Sequence, residues 1–151
     1  MSLDPPAVSL RPILPALVVT VTAALVLVLD LLPPRDRKSH LPVVALAGIV
    51  AALLLSIWLW GEDSAGFRGM VILDSYALFF HLIIGYASGL VILLSMDYLE
   101  RQGLESAEYY ALILFSTVGM MLMASAGDLI TIFLSLELMS LSLYVLAGYF
   151  R

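Results

Sequence analysis

Cysteine is absent, which excludes disulfides and thiolate-held metals, a cysteine-ligated iron–sulfur cluster among them. Charge is scarce. Asp, Glu, Lys and Arg make up 13% of the 151 residues, against 62% hydrophobic, whereas a soluble domain carries about a quarter charged residues. The balance is a membrane protein's. The net charge of −5 is spread along the chain, and there is no basic patch, so nucleic acid is not an expected partner. No glycine-rich nucleotide turn and no alternating spanning strands occur. The N-terminus, MSLDPPAVSLRP, lacks the positive start of a secretory leader, its first charge being Asp4. The apolar run from Ile13 to Leu32 therefore reads as a retained helix.

What is present is a set of long apolar runs. A bilayer core of about 30 Å takes roughly 20 helical residues. Five segments qualify, near 13–32, 41–60, 73–99, 107–125 and 128–150. They predict an all-α membrane protein, with 1–151 a single membrane domain. Trp58 and Trp60 fall at the end of the second segment, where amphipathic rings favour the membrane interface. The connections are short: PPRDRKSH after the first helix, GEDSAGFRGM after the second, ERQGLES after the third. Ala126–Gly127 joins the last pair, with Asp128 placed to accept from free N–H groups at the start of the fifth helix. So tight a link makes those two helices antiparallel neighbours. Basic residues set the orientation. With the N-terminus outside, Arg35, Arg37, Lys38, Arg101 and Arg151 lie inside, and only Arg11 and Arg68 outside.

Small residues share faces. Ala45, Gly48, Ala52 and Ser56 do so on the second helix, and His81, Gly85, Ser88, Ile92 and Ser95 on the third. Such faces let helix backbones approach closely, and packing accounts for them. Asp30, Asp74, Asp97 and Asp128 fall near helix ends, within reach of water or headgroups, so structural roles are their default.

Glu137 differs. In DLITIFLSLELMSLSLYVLAGYF it lies about 13 Å from Asp128 and about 20 Å from Phe150 at the helical rise. A charge near the bilayer centre costs about 3 kcal/mol on insertion scales. Ser140, Tyr144 and Gly148 continue its own face, which predicts an inward orientation toward protein or water. Glu137 is thus the candidate catalytic residue, a proton relay or half of a charge pair; the bland alternative is a neutral glutamic acid in an interhelical hydrogen bond. Every Lys and Arg lies in a loop or at a helix end. His81 is the other ionisable group well inside a span. It either pairs with Glu137 between the third and fifth helices or is a packed, hydrogen-bonded residue on a small face. If it is not the partner, the cation lies outside this chain, which reads as the front of something longer.

The segments ILDSYALFF, LLSMDYLERQG and EYYALILFSTVGMMLMASAGDLITIFLSLELMSLSLYVLAGYF closely resemble subunit N of the bacterial proton-pumping NADH–quinone oxidoreductase, respiratory complex I. The resemblance covers most of the chain from about Met70 onward; the first two helices agree in position and character only. The related antiporter-like subunits L and M usually carry an aromatic just before their glutamate, where this chain has Leu136. The resemblance implies an antiporter-like fold with inverted helix repeats, of which this is the N-terminal portion. It maps the family's fifth-helix glutamate onto Glu137 and implies a lysine partner on a later, broken helix beyond Arg151. It further implies that NADH, FMN, iron–sulfur clusters and quinone belong to other subunits, with no cofactor or metal in this chain. The implied partners are the other complex I membrane subunits and the lipid of a bacterial inner membrane. The expected function is proton translocation coupled to electron transfer from NADH to quinone. Two alternatives stand beside it: a subunit of a related cation/proton antiporter not coupled to redox, and a small non-catalytic membrane scaffold with Glu137 as a hydrogen-bond anchor.

Overall fold

A computed structural model of the chain describes residues 9–31, 40–102 and 107–149. The first interhelical loop with Arg35, Arg37 and Lys38, the Pro33–Pro34 stop, and Phe150 and Arg151 lie outside the described residues. Among those described are five helices long and apolar enough to cross a membrane. They are α1 (Leu14–Leu31), α2 (His40–Trp58), α3 (Ser75–Gln102), α4 (Ala107–Ala124) and α5 (Leu129–Gly148). The chain has the architecture of a multi-pass membrane protein.

The sequence of α1, rich in Val and Thr, would favour a strand on a half-buried pleated surface. Lipid reverses that preference, because a helix satisfies every backbone group within itself. The hydroxyls follow the same logic. Thr20, Thr22, Ser56, Ser95, Thr117, Ser135 and Ser142 each donate to the carbonyl four residues earlier, so they enter an apolar bundle already partnered. Pro15 and Pro42 sit in first turns, where no intrahelical N–H is lost.

Helices α1 to α4 close a ring: α1 packs on α2, α2 on α3, α3 on α4, and α4 back on α1. α4 is the most enclosed of the five. α5 stands outside the ring, packs chiefly on α4 and is the least enclosed. The small faces expected on α2 and α3 are both buried: Ala45, Gly48, Ala52 and Ser56 on one, His81, Gly85, Ser88, Ile92 and Ser95 on the other. Their packing is close. At Gly48 a side chain would run into Thr22 of α1, and at Gly85 into Leu53 of α2.

One element was not expected. Between α2 and α3 the chain forms a small antiparallel hairpin, β1 (Ser64–Gly66) with β2 (Val71–Leu73), around a 3-10 turn at Phe67–Gly69. Phe67 and Arg68 take positive φ, 52° and 58°. The hairpin ties three parts of one bundle end together. Arg11 pairs with Glu62 at 3.1 Å, Ile72 N–H donates to the Ser125 carbonyl, and Gly127 N–H donates to the Met70 carbonyl, both at 2.8 Å. α3 consequently begins at Ser75 rather than 73, with the Asp74 carboxylate accepting from Ala77 N–H at 2.7 Å, and it runs on to Gln102.

Candidate functional site

The site begins with the α4–α5 turn. The Asp128 carboxylate accepts from Thr131 N–H at 2.7 Å and caps α5, as its position suggested. From that start the α5 backbone runs close against α4. A side chain at Gly119 would meet Met139 N at 2.7 Å and the Ser135 carbonyl at 2.8 Å. Gly119 is therefore what permits the two backbones to approach on either side of residue 137, a contact that small size in STVGMM hints at but does not locate.

Ser135, Met139 and Ser142 fix the face of α5 that meets α4. Successive residues turn by about 100°, so Glu137 lies about 200° around the helix from Ser135, on the opposite side. It is partly exposed there. Its neighbours on that side are Ile130, Phe133, Leu134, Leu141 and Tyr144, all well exposed, Tyr144 at 72%. The stripe of Ser140, Tyr144 and Gly148 therefore points away from the rest of the described chain, and the sequence did not single out the Ser135 and Ser142 face as the one that meets α4. The reason is that α5 carries hydroxyls on both faces. The pair that turns to α4, Ser135 and Ser142, has bonded to its own helix and travels as if apolar.

Glu137 makes no hydrogen bond or ion pair among the described residues. His81 does not supply one. It is 1% exposed, on the α3 face toward α4, and its Nε2 lies 3.0 Å from the Met121 carbonyl and 2.9 Å from Ser125 Oγ. The structure thus commits the histidine to α4 and leaves the glutamate on an outer face. Of the other acids, Asp97 pairs with Arg101 at 2.9 Å, with both side chains largely exposed.

No family model matches the chain. Over 144 residues, 95% of its length, it is 44% identical to NADH-quinone oxidoreductase subunit N of Trichlorobacter lovleyi. The chain is similar, over nearly its whole length, to part of a subunit N. It is also 46% identical over 127 residues, 84% of its length, to subunit N 2 of Roseiflexus castenholzii. With the chloroplastic NAD(P)H-quinone oxidoreductase subunit 2 of Zygnema circumcarinatum it shares 40% over 138 residues, 91% of its length. It covers 30%, 26% and 27% of these relatives' lengths in turn, so it spans less than a third of a subunit N-like protein. The similarity takes in the first two helices as well, beyond their agreement in position and character.

Proposed function

We propose that the chain is the N-terminal part of a membrane-arm subunit of NADH–quinone oxidoreductase, taking part in proton translocation coupled to electron transfer from NADH to quinone. Glu137 is its proton-holding group. The observation that carries this reading is the placement of Glu137: mid-helix, without a partner among the described residues, on the α5 face turned away from α4. A carboxylate exposed there to lipid alone would be too costly to persist, so a polar surface must cover it. The curated relatives extend well beyond the length matched here. In this reading the cover is a later helix carrying a lysine, which lowers the cost of ionising Glu137 when it is close and raises it when its own charge is lost. The chain sits in a bacterial inner membrane with its N-terminus outside. Other complex I membrane subunits are its neighbours, and the NADH, FMN, iron–sulfur and quinone sites are in other subunits.

The test is Glu137→Gln in the intact complex. The amide keeps the size and a hydrogen bond but cannot ionise. We expect proton pumping to fall several-fold while the subunits still assemble. Normal pumping by a fully assembled variant overturns the reading.

A further inference from the structure

A trough runs along α4. α3 and α5 both pack on this helix, and a gap separates them. Toward the start of α4 a cavity of about 270 Å³ lies between Val91 of α3, Ile113 of α4 and Leu143 of α5. A second, of about 500 Å³, continues toward the hairpin between Phe80, Met123 and Met139, and Met120 lines both. Tyr109 marks one end and Ala126 the other, so the trough follows the 18 residues of α4, about 27 Å at the helical rise. Its walls are open on the side away from α4: Val91 and Leu143 are each 46% exposed. Leu143 lies about 120° around α5 from Glu137, so this is a separate face.

The floor of the trough holds polar groups at mid-depth. Ser116 lies about 13 Å along α4 from Ala107 and about 12 Å from Ala124. It is 3% exposed, lines the cavity and makes no hydrogen bond among the described residues. Every other buried Ser and Thr has a partner. Thr117 donates to the Ile113 carbonyl at 2.8 Å, whereas Ser116 has not taken the equivalent Leu112 carbonyl. Ser88, on the same cavity, lies 2.7 Å from Thr117 Oγ1 and has no further bond, so its hydroxyl also has capacity to spare. Two hydroxyls therefore line the trough at a depth where hydrocarbon offers them no partner.

We propose that this trough seats a further transmembrane helix, one that carries a hydrogen-bonding side chain opposite Ser116 and Ser88. The competing occupant is a lipid acyl chain. An acyl chain reaches only half of a bilayer core of about 30 Å, while the trough follows nearly all of it. Nor can it bond to a hydroxyl, whereas helices in membranes associate through just such Ser and Thr contacts. The lining suits a helix ridge: Met120, Met123 and Met139 adapt their shape to what they meet, and Ala87, Ala124 and Ala126 leave room for it. The curated relatives supply the source, since the length matched here is less than a third of theirs. The helix belongs to the continuation of this same subunit. That step rests on the chain being part of a longer subunit, as proposed above, and not on the role of Glu137.

The test reads contact, not pumping, so its failure and that of the Glu137 reading are distinguishable. p-Benzoylphenylalanine replaces Met120 in the full-length protein, in its native membrane. Ultraviolet light attaches the probe to whatever C–H bond lies against it, and mass spectrometry of the digest identifies the attached molecule. Where the bulk of the probe at Met120 prevents folding, the same probe at the half-exposed Leu143 reads the same trough from its wall. We expect the adduct on a peptide of the same chain beyond Arg151, within an apolar stretch of about 20 residues that includes a hydrogen-bonding side chain. Adducts confined to lipid, or found on a separate subunit, overturn the proposal. So does a captured stretch that is apolar throughout, because Ser116 and Ser88 would then still lack a partner.

Discussion

The Asp128 carboxylate, ahead of the α5 span, accepts hydrogen bonds from the side chain and the backbone N–H of Thr131, and both hold its pKa below the ordinary 3.8. The sign of the pH effect follows. A folded pKa depressed below the unfolded one gives a stabilisation that is full above about pH 4 and is lost as the pH falls through the lower, folded value. Asn caps a helix about as well as Asp but does not titrate. Asp128→Asn should therefore keep the thermal stability of the full-length protein near neutral pH and flatten its fall in acid. Asp128→Ala should lower stability at every pH, because the Thr131 N–H is left without its acceptor. Melting curves of the detergent-solubilised protein between about pH 3 and pH 7 separate the three forms; a wild-type acid slope retained by the Asn variant would assign it to other carboxylates. Nine residues further on, Glu137 has no such donor among the described residues, and that contrast sets it apart from the cap of its own helix.

Between α4 and α5 the decisive residue has no side chain. Filling Gly119 sets a methyl against two backbone atoms, Met139 N and the Ser135 carbonyl, neither of which can swing aside as a long side chain can. Overpacking of this kind costs about 1–3 kcal/mol, set against a helix-propensity gain of up to about 1 kcal/mol for Ala over Gly. The overpacking should win at Gly119. At Gly148, where nothing lies within 4 Å, the propensity term stands alone. Gly119→Ala is expected to lower the melting temperature and Gly148→Ala to leave it unchanged or raise it slightly; equal melting temperatures would show that α5 is not held at this contact. The comparison also shows what the sequence could and could not disclose. The helices were readable because each is a long apolar run, and the caps because Asp74 and Asp128 directly precede such runs. The buried faces of α2 and α3 were readable from small residues at helical spacing. The face of α5 that meets α4 was not, because Ser135 and Ser142 on one side and Ser140 and Tyr144 on the other are equivalent by composition. Only the position of α4 chooses between them.

At the scale of the whole chain, four helices enclose a core and the fifth lies against one of them, presenting Glu137 outward. One end of this assembly is built up beyond the helices themselves. At the built end the hairpin, the start of α1 and the α4–α5 turn interlock through Arg11–Glu62, Ile72–Ser125 and Met70–Gly127. No sequence signal announced it: three-residue strands show no useful alternation, and Phe67 and Arg68 are not residues that favour positive φ. Yet this end gathers Arg11 and Arg68, while the other holds Arg101 and, by connectivity, the loop with Arg35, Arg37 and Lys38. The excess of basic residues away from the hairpin supports the proposed orientation, in which the hairpin would lie outside the cell. The absence of cysteine from this chain makes the claim direct to check. In a full-length protein free of other cysteines, Asp63→Cys beside the hairpin and Gln102→Cys at the end of α3 sit at exposed positions on opposite ends. A membrane-impermeant maleimide added to intact cells should label the first at once and the second only after the membrane is opened. The reverse pattern would invert the protein, moving Asp128 and the hairpin to the cytoplasmic side.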